Sequence, residues 1–264
     1  MDRLILGRYI PGNSIIHRLD PRSKLLAVVL FLLIVFFANN LLTNLLLIGF
    51  VWFLITITGI KLSFFIKGLK PMIGIILFTT LFQVFFVAGE HVVWQFWVLR
   101  ITTESLRMGA IIFCRFILIV FFSTLLTLTT TPLALADGVE ASLKPLARFK
   151  VPVHEIGLML SMSLRFVPTL MDDTQRIMNA QRARGVDFSE GSIVKRIRAV
   201  IPILIPLFAS SFKRAEALAT AIEARGYQGG DGRTKYRVLK WKRRDTFSIV
   251  IMVALGLLLY LLKN

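Results

Sequence analysis

Few side chains in this chain are spaced to make or break covalent bonds. His17, His91 and His154 are scattered without ligand spacing, so no metal site is expected. Cys114 is the single cysteine and lies in an apolar run, which excludes an intrachain disulfide and any multi-cysteine metal site. Asp172 and Asp173 are adjacent carboxylates of the kind that hold magnesium, but the further aspartates such a site needs at fixed spacing are absent. No Gly-x-x-x-x-Gly-Lys-[Ser/Thr] stretch offers a cradle for ATP phosphates, so any ATP-driven work needs another subunit. The spacing that stands out is a repeat: Ala183-Arg184-Gly185 and Ala224-Arg225-Gly226, with the arginines 41 residues apart. Each tripeptide follows a long helical pattern, and glycine just past a helix end accepts the left-handed conformation that holds the arginine at the rim. One reading is that each arginine complements its helix dipole. The other is a pair of docking points, because a planar guanidinium fork suits carboxylates and carbonyls in a partner's groove.

The elements that carry these tips belong to a membrane protein. Of 264 residues 56% are hydrophobic, 22 are Phe, and the mean hydropathy is +0.73. Residues 25–60 contain no charge, about twice the ~20 residues that cross a ~30 Å hydrocarbon layer. Asn39-Asn40 divides that run into spans at 25–38 and 41–60. Further spans are expected at 72–88, opened by Pro71, within 106–130, and at 247–262. The fourth has unclear edges because Arg107 and Arg115 fall in its first half. The expected fold is an all-α integral membrane protein with about five transmembrane helices plus long cytoplasmic or interfacial helices. Residues 1–24 form an N-terminal segment that lacks a small-residue cleavage site and reads as retained. Residues 25–130 form a membrane domain of about four spans, 131–245 a cytoplasmic domain, and 246–264 the last transmembrane helix.

Charge orients this arrangement. The net charge is +17; five Lys/Arg precede residue 25, three lie in 61–70 and twenty in 131–245. The opposite side carries little beyond Arg100 and Lys263. The positive-inside rule therefore puts the N-terminus and residues 131–245 in the cytoplasm and the C-terminus outside the cell membrane. In a soluble protein this charge would point to nucleic acid. Here it is assigned to orientation, anionic lipid and protein docking, with no nucleic-acid partner.

Within 131–245 a short amphipathic piece, 133–148, precedes two long helices expected at about 153–184 and 192–225. Their apolar halves, Ile156 to Met171 and Val200 to Phe212, are short for a crossing and read either as packed interfacial helices or as a further pair of spans. Pro168, Pro202 and Pro206 are expected to bend them. Arg107 and Arg115 read either as snorkelling or helix-to-helix hydrogen-bond donors, or as residues that hold a partner.

The N-terminal run Gly7-Arg8-Tyr9-Ile10-Pro11-Gly12-Asn13-Ser14, followed by His17-Arg18-Leu19-Asp20-Pro21-Arg22-Ser23-Lys24, resembles the T component of energy-coupling factor (ECF) transporters. Arg165-Phe166-Val167-Pro168, Ala180-Gln181-Arg182-Ala183-Arg184-Gly185 and Glu223-Ala224-Arg225-Gly226 resemble that family's cytoplasmic region in order and spacing. The resemblance covers essentially the whole chain. It implies a scaffold, not an enzyme, that joins two ABC ATPases to a substrate-capturing membrane protein, the S component, within the lipid bilayer. It further implies that Ala183, Arg184, Gly185, Ala224, Arg225 and Gly226 dock the ATPases. The face through Ile156, Leu160, Leu164, Pro168, Pro202 and Pro206 would then couple to the S component, importing vitamins or other micronutrients without a cofactor of its own. Two other classes compete. A conventional ABC permease would form the substrate path itself, but Glu223-Ala224-Arg225-Gly226 only faintly echoes its cytoplasmic loop. A prenyltransferase-like membrane enzyme would build on Asp172-Asp173.

Overall fold

The computed structural model describes residues 9–86, 91–96, 99–149, 151–188, 192–227, 229 and 238–262. Arg3, Gly7, Arg8 and Ala88, on which parts of the sequence reading rest, lie outside them. The chain is an all-α membrane protein divided into two units, residues 1–142 with 239–264, and residues 143–238. In chain order its helices are α1 (Pro21–Ile34), α2 (Leu41–Thr58), α3 (Leu62–Leu69), α4 (Ile73–Phe86), α5 (Thr103–Thr129), α6 (Pro132–Leu143), α7 (Val153–Ala183), α8 (Ile193–Glu223) and α9 (Arg243–Leu261). A 3-10 turn, Val35–Phe37, extends α1, and another, Lys144–Phe149, follows α6. Strands β1 (Val92–Phe96) and β2 (Leu99–Thr102) pair antiparallel, with Phe96 opposite Leu99 and an irregularity between Val92 and Trp94.

In the first unit, α2, α5 and α9 are each long and apolar enough to cross a bilayer, and α3 with α4, bent by 64°, would make a fourth span. The five expected spans include α1, whose 14 residues and three-residue 3-10 extension sit at the short limit of about 17–25 residues for a crossing. Pro71 was expected in the first turn of α4; it lies instead in the turn before it, which bends the chain out of α3. At 31 residues α7 and α8 are long enough to span but are not among the helices apolar enough to do so. Both run unbroken through Pro168, Pro202 and Pro206.

Local chemistry sets the boundaries. The Asn39-Asn40 turn ends the first helix and opens α2, where the Asn40 N–H donates to Thr43 Oγ1 at 3.1 Å. Gly59, at φ +68°, closes α2. A reciprocal cap between Thr102 and Ser105 starts α5 three residues earlier than the charge pattern indicated. Arg107 and Arg115 thereby fall inside the helix and reach the same turn. Arg115 donates to the Ala38 carbonyl at 3.4 Å and to Asn39 Oδ1 at 3.3 Å, and Arg107 donates to Asn40 Oδ1 at 3.4 Å. The core is aromatic and aliphatic: Phe31 stacks on Phe122 at 4.1 Å, and Leu47, Phe65 and Leu259 are fully enclosed.

Polar residues lock the other end of the bundle. Asp245, 1% exposed near the start of α9, accepts the Asp20 N–H at 2.7 Å, the Ser23 hydroxyl at 3.2 Å and the Lys242 N–H at 2.7 Å. Asp20 caps α1 by accepting the Arg22 N–H at 2.9 Å and is also ion-paired with the Arg22 side chain at 3.1 Å. Lys24, 6% exposed, donates to the Thr129 carbonyl at 2.9 Å, Thr130 Oγ1 at 3.1 Å and the His17 carbonyl at 3.4 Å. It thus caps the carbonyl end of α5. His17 Nε2 lies 3.2 Å from the Ile10 carbonyl, which can only accept, so Nε2 carries the proton and Nδ1 accepts from Ser14 Oγ at 2.7 Å.

Removing one member of such a buried set strands the others. Asp245→Ala is expected to destabilise the detergent-purified chain by about 2–4 kcal/mol in thermal or denaturant unfolding, whereas Asp172→Ala on an exposed face changes it by less than about 0.5 kcal/mol. Burial of the His17 ring lowers its pKa, the bond to the Ile10 carbonyl opposes this, and the nearby Lys24 charge adds to the lowering. The unfolded chain therefore takes up this proton first, so the contribution of His17 is intact above its ordinary pKa and is lost as pH falls. Melting curves between about pH 7 and 5 should show a shallower acid loss for His17→Gln than for the parent chain.

Candidate functional site

The second unit is built on α7 packed against α8. The two helices end in the same way. After α7, the Gly185 N–H donates to the Arg182 carbonyl at 2.9 Å and the Val186 N–H to the Gln181 carbonyl at 3.0 Å. After α8, the Gly226 N–H donates to the Glu223 carbonyl at 2.8 Å and the Tyr227 N–H to the Ile222 carbonyl at 3.3 Å. Both are Schellman motifs with alanine in the last turn, arginine at the cap and glycine in the left-handed position, at φ +86° and +74°. An added Cβ at either glycine would meet nothing within 4 Å, so backbone conformation, not space, calls for glycine there. Arg184 and Arg225 are both exposed. The repeat in sequence is therefore a repeat in geometry, two equivalent guanidinium groups on rigid rims.

Between the tips and the apolar halves lies a pin. Arg214 on α8 donates to Asp173 on α7 at 2.8 Å, and its guanidinium stands 5.8 Å from the centre of the Phe166 ring. Asp173 is thus engaged across the helix pair, an arrangement that the reading of Asp172-Asp173 as half of a magnesium motif did not anticipate. Asp173 precedes Arg184 by 11 residues and Arg214 precedes Arg225 by 11, so the pin sits about 16 Å from each tip at 1.5 Å per residue.

The apolar halves leave long stripes uncovered. On α8, Ile197, Ile201, Leu204, Ile205, Phe208 and Phe212 are exposed at helical spacing along one face. On α7 the exposed set is Ile156, Met159, Val167 and Met171. Of the coupling residues expected from sequence, Ile156, Pro168 and Pro206 are exposed, while Leu160, Leu164 and Pro202 are half-buried. Ile203 and Gly157 are buried. The apolar halves read from sequence contain Met159 and Ile201 without singling them out and leave out Ile197, because only pairing of the helices reveals which side remains open. The described residues contain no group of three or more His, Cys, Asp or Glu side chains placed to hold a metal ion.

Both side chains of the pin are partly exposed, so its strength is modest. A double-mutant cycle over Asp173→Ala and Arg214→Ala, read by hydrogen exchange of α7 and α8 amides, is expected to give a coupling of about 0.5–1 kcal/mol.

Comparison with known proteins agrees with this architecture. Residues 12–236 match the family CbiQ, cobalt transport protein. A Streptococcus equi subsp. equi protein named energy-coupling factor transporter transmembrane protein EcfT is 68% identical over 264 residues, spanning 100% of this chain and 98% of its own length. Proteins of the same name from Streptococcus thermophilus and Bacillus subtilis are 64% and 50% identical, each over 100% of this chain and over 100% and 99% of their own lengths.

Proposed function

From its membership of the CbiQ cobalt transport protein family, and so of a membrane transporter, we propose that this chain is the scaffold of an ECF importer. In that role it carries the motion of two ABC ATPases to a substrate-capturing S component, for uptake of vitamins or other micronutrients. The observation that carries the reading is the pair of equivalent arginine-capped helix ends. Two copies of one docking feature suit two ATPase subunits of similar shape, each taking one guanidinium into an acceptor-lined groove.

The work is mechanical. ATP binding draws the ATPases together and the tips at Arg184 and Arg225 follow. The pin between Asp173 and Arg214, equally distant from both tips, serves as the pivot about which α7 and α8 scissor. The exposed apolar stripes, through Ile156 and Met159 on α7 and Ile201 to Phe212 on α8, bear on the S component. Apolar contact is non-directional, so the partner slides along these stripes without losing burial.

Counting α1 with its 3-10 extension gives five crossings. That count, with basic residues taken as the inner side, supports a reading with the N-terminus in the cytoplasm and the C-terminus outside the cell membrane. The docking claim is tested by Arg184→Glu combined with Arg225→Glu. Each reversal replaces a docking cation by a repelled anion, so recovery of both ATPases with the full-length chain should fall by roughly tenfold or more. Undiminished recovery of both would contradict the assignment.

A further inference from the structure

A cleft of 320 Å³ opens in the membrane unit where the last turns of α2 and α5 meet the first turns of α1 and α9. That volume falls at the lower end of the range for small-ligand sites, about 300–1,000 Å³. Its wall is almost entirely hydrocarbon, with Ala27, Phe53, Ile57, Leu125, Phe247 and Ile251 contributing from the four helices. Two cations, Lys24 and Arg244, line the same cleft.

The two differ in what they still need. Lys24 Nζ already donates to three protein oxygens. Arg244 Nε is sealed from solvent and has no hydrogen-bond partner among the described residues. The adjacent Asp245 does not serve it; its oxygens accept from Asp20, Ser23 and Lys242. An arginine with an open hydrogen bond at the edge of an apolar cleft suits an anion, and the hydrocarbon wall suits an acyl chain. Buried donors without acceptors are rare because each carries a desolvation cost.

We propose that this cleft holds an acyl chain of an anionic phospholipid whose phosphate pairs with Arg244. The occupant is membrane lipid because the wall that must be filled is apolar and belongs to membrane-crossing helices. Their ends at this level carry the Lys242-Arg243-Arg244 run, a charge pattern that favours anionic headgroups. The guanidinium fork matches a phosphodiester, and a zwitterionic headgroup gains less from it.

The full-length chain, purified in mild detergent and exchanged into vesicle-derived mixtures of phosphatidylglycerol and phosphatidylcholine, can be examined by native mass spectrometry. One phosphatidylglycerol is expected to be retained in preference to phosphatidylcholine, and Arg244→Gln should lower that preference about tenfold, the scale of one charge-assisted hydrogen bond. Ser248→Phe, which places a ring in the cleft one turn along α9 from the arginine, should abolish retention of the lipid. Arg243→Gln, exposed and outside the cleft, should lower the preference far less than Arg244→Gln does. Equal retention of the two lipids, equal effects of Arg243→Gln and Arg244→Gln, or retention surviving Ser248→Phe would each overturn the assignment. So would displacement by glycerol phosphate, which would mark a site for soluble phosphate, or loss of the lipid when the partner subunits assemble, which would mark a protein interface.

Discussion

A carboxylate shut away from water must be supplied with donors, and the membrane unit meets that demand by joining residues far apart in the chain. Asp245 takes its donors from Asp20 and Ser23, more than two hundred positions away, as well as from Lys242. Lys24, one residue beyond Ser23, ties the same place to the end of α5. The Ile10 N–H adds a bond to the Leu128 carbonyl at 2.9 Å. Lipid offers none of these groups a partner, so the beginnings of α1 and α9 and the end of α5 must meet. The chain leaves this unit after residue 142 and rejoins it at 239, a few residues before Lys242. The polar cluster thus fixes where a long excursion returns.

The second unit has the inverse problem. Its surplus is exposed hydrocarbon. A continuous stripe from Ile197 to Phe212 is larger than single scattered apolar residues, and such stripes mark surfaces that another molecule covers. The prolines of α8 lie along this half of the helix, Pro206 exposed and Pro202 half-buried, while the end that carries Arg225 is free of them. Each long helix therefore has one half with an exposed apolar stripe and one half that ends in a charged rim.

Local signals were legible in the sequence and distant ones were not. Asn39-Asn40 marked the first turn, and Gly185 and Gly226 marked two helix ends to within a residue or two, because capping depends on adjacent residues. The apolar runs located α2, α5 and α9. Helix α3 was hidden because Lys61, Lys67 and Lys70 made its residues read as a loop, although Phe65 is fully buried. The β-hairpin before α5 left no trace that was recognised. The His17 to Lys24 block stood out only by family likeness; its physical role needs Asp245 and Thr129, which no local pattern connects to it. Asp173 was likewise weighed as a magnesium ligand because Arg214, its actual partner, is on another helix.

The central claim is that α7 and α8 are levers moved at their arginine tips. The direct measurement is the distance between spin labels at Ala180 and Ala221, in a Cys114→Ser background of the assembled transporter, recorded with and without a non-hydrolysable ATP analogue. Both alanines are exposed one turn before the tips, so labels there leave Arg184 and Arg225 in place. The account predicts that the distance distribution shifts when nucleotide binds and that the shift disappears with Arg184→Glu and Arg225→Glu. An unchanged distribution in a complex that binds nucleotide and transports substrate would contradict it.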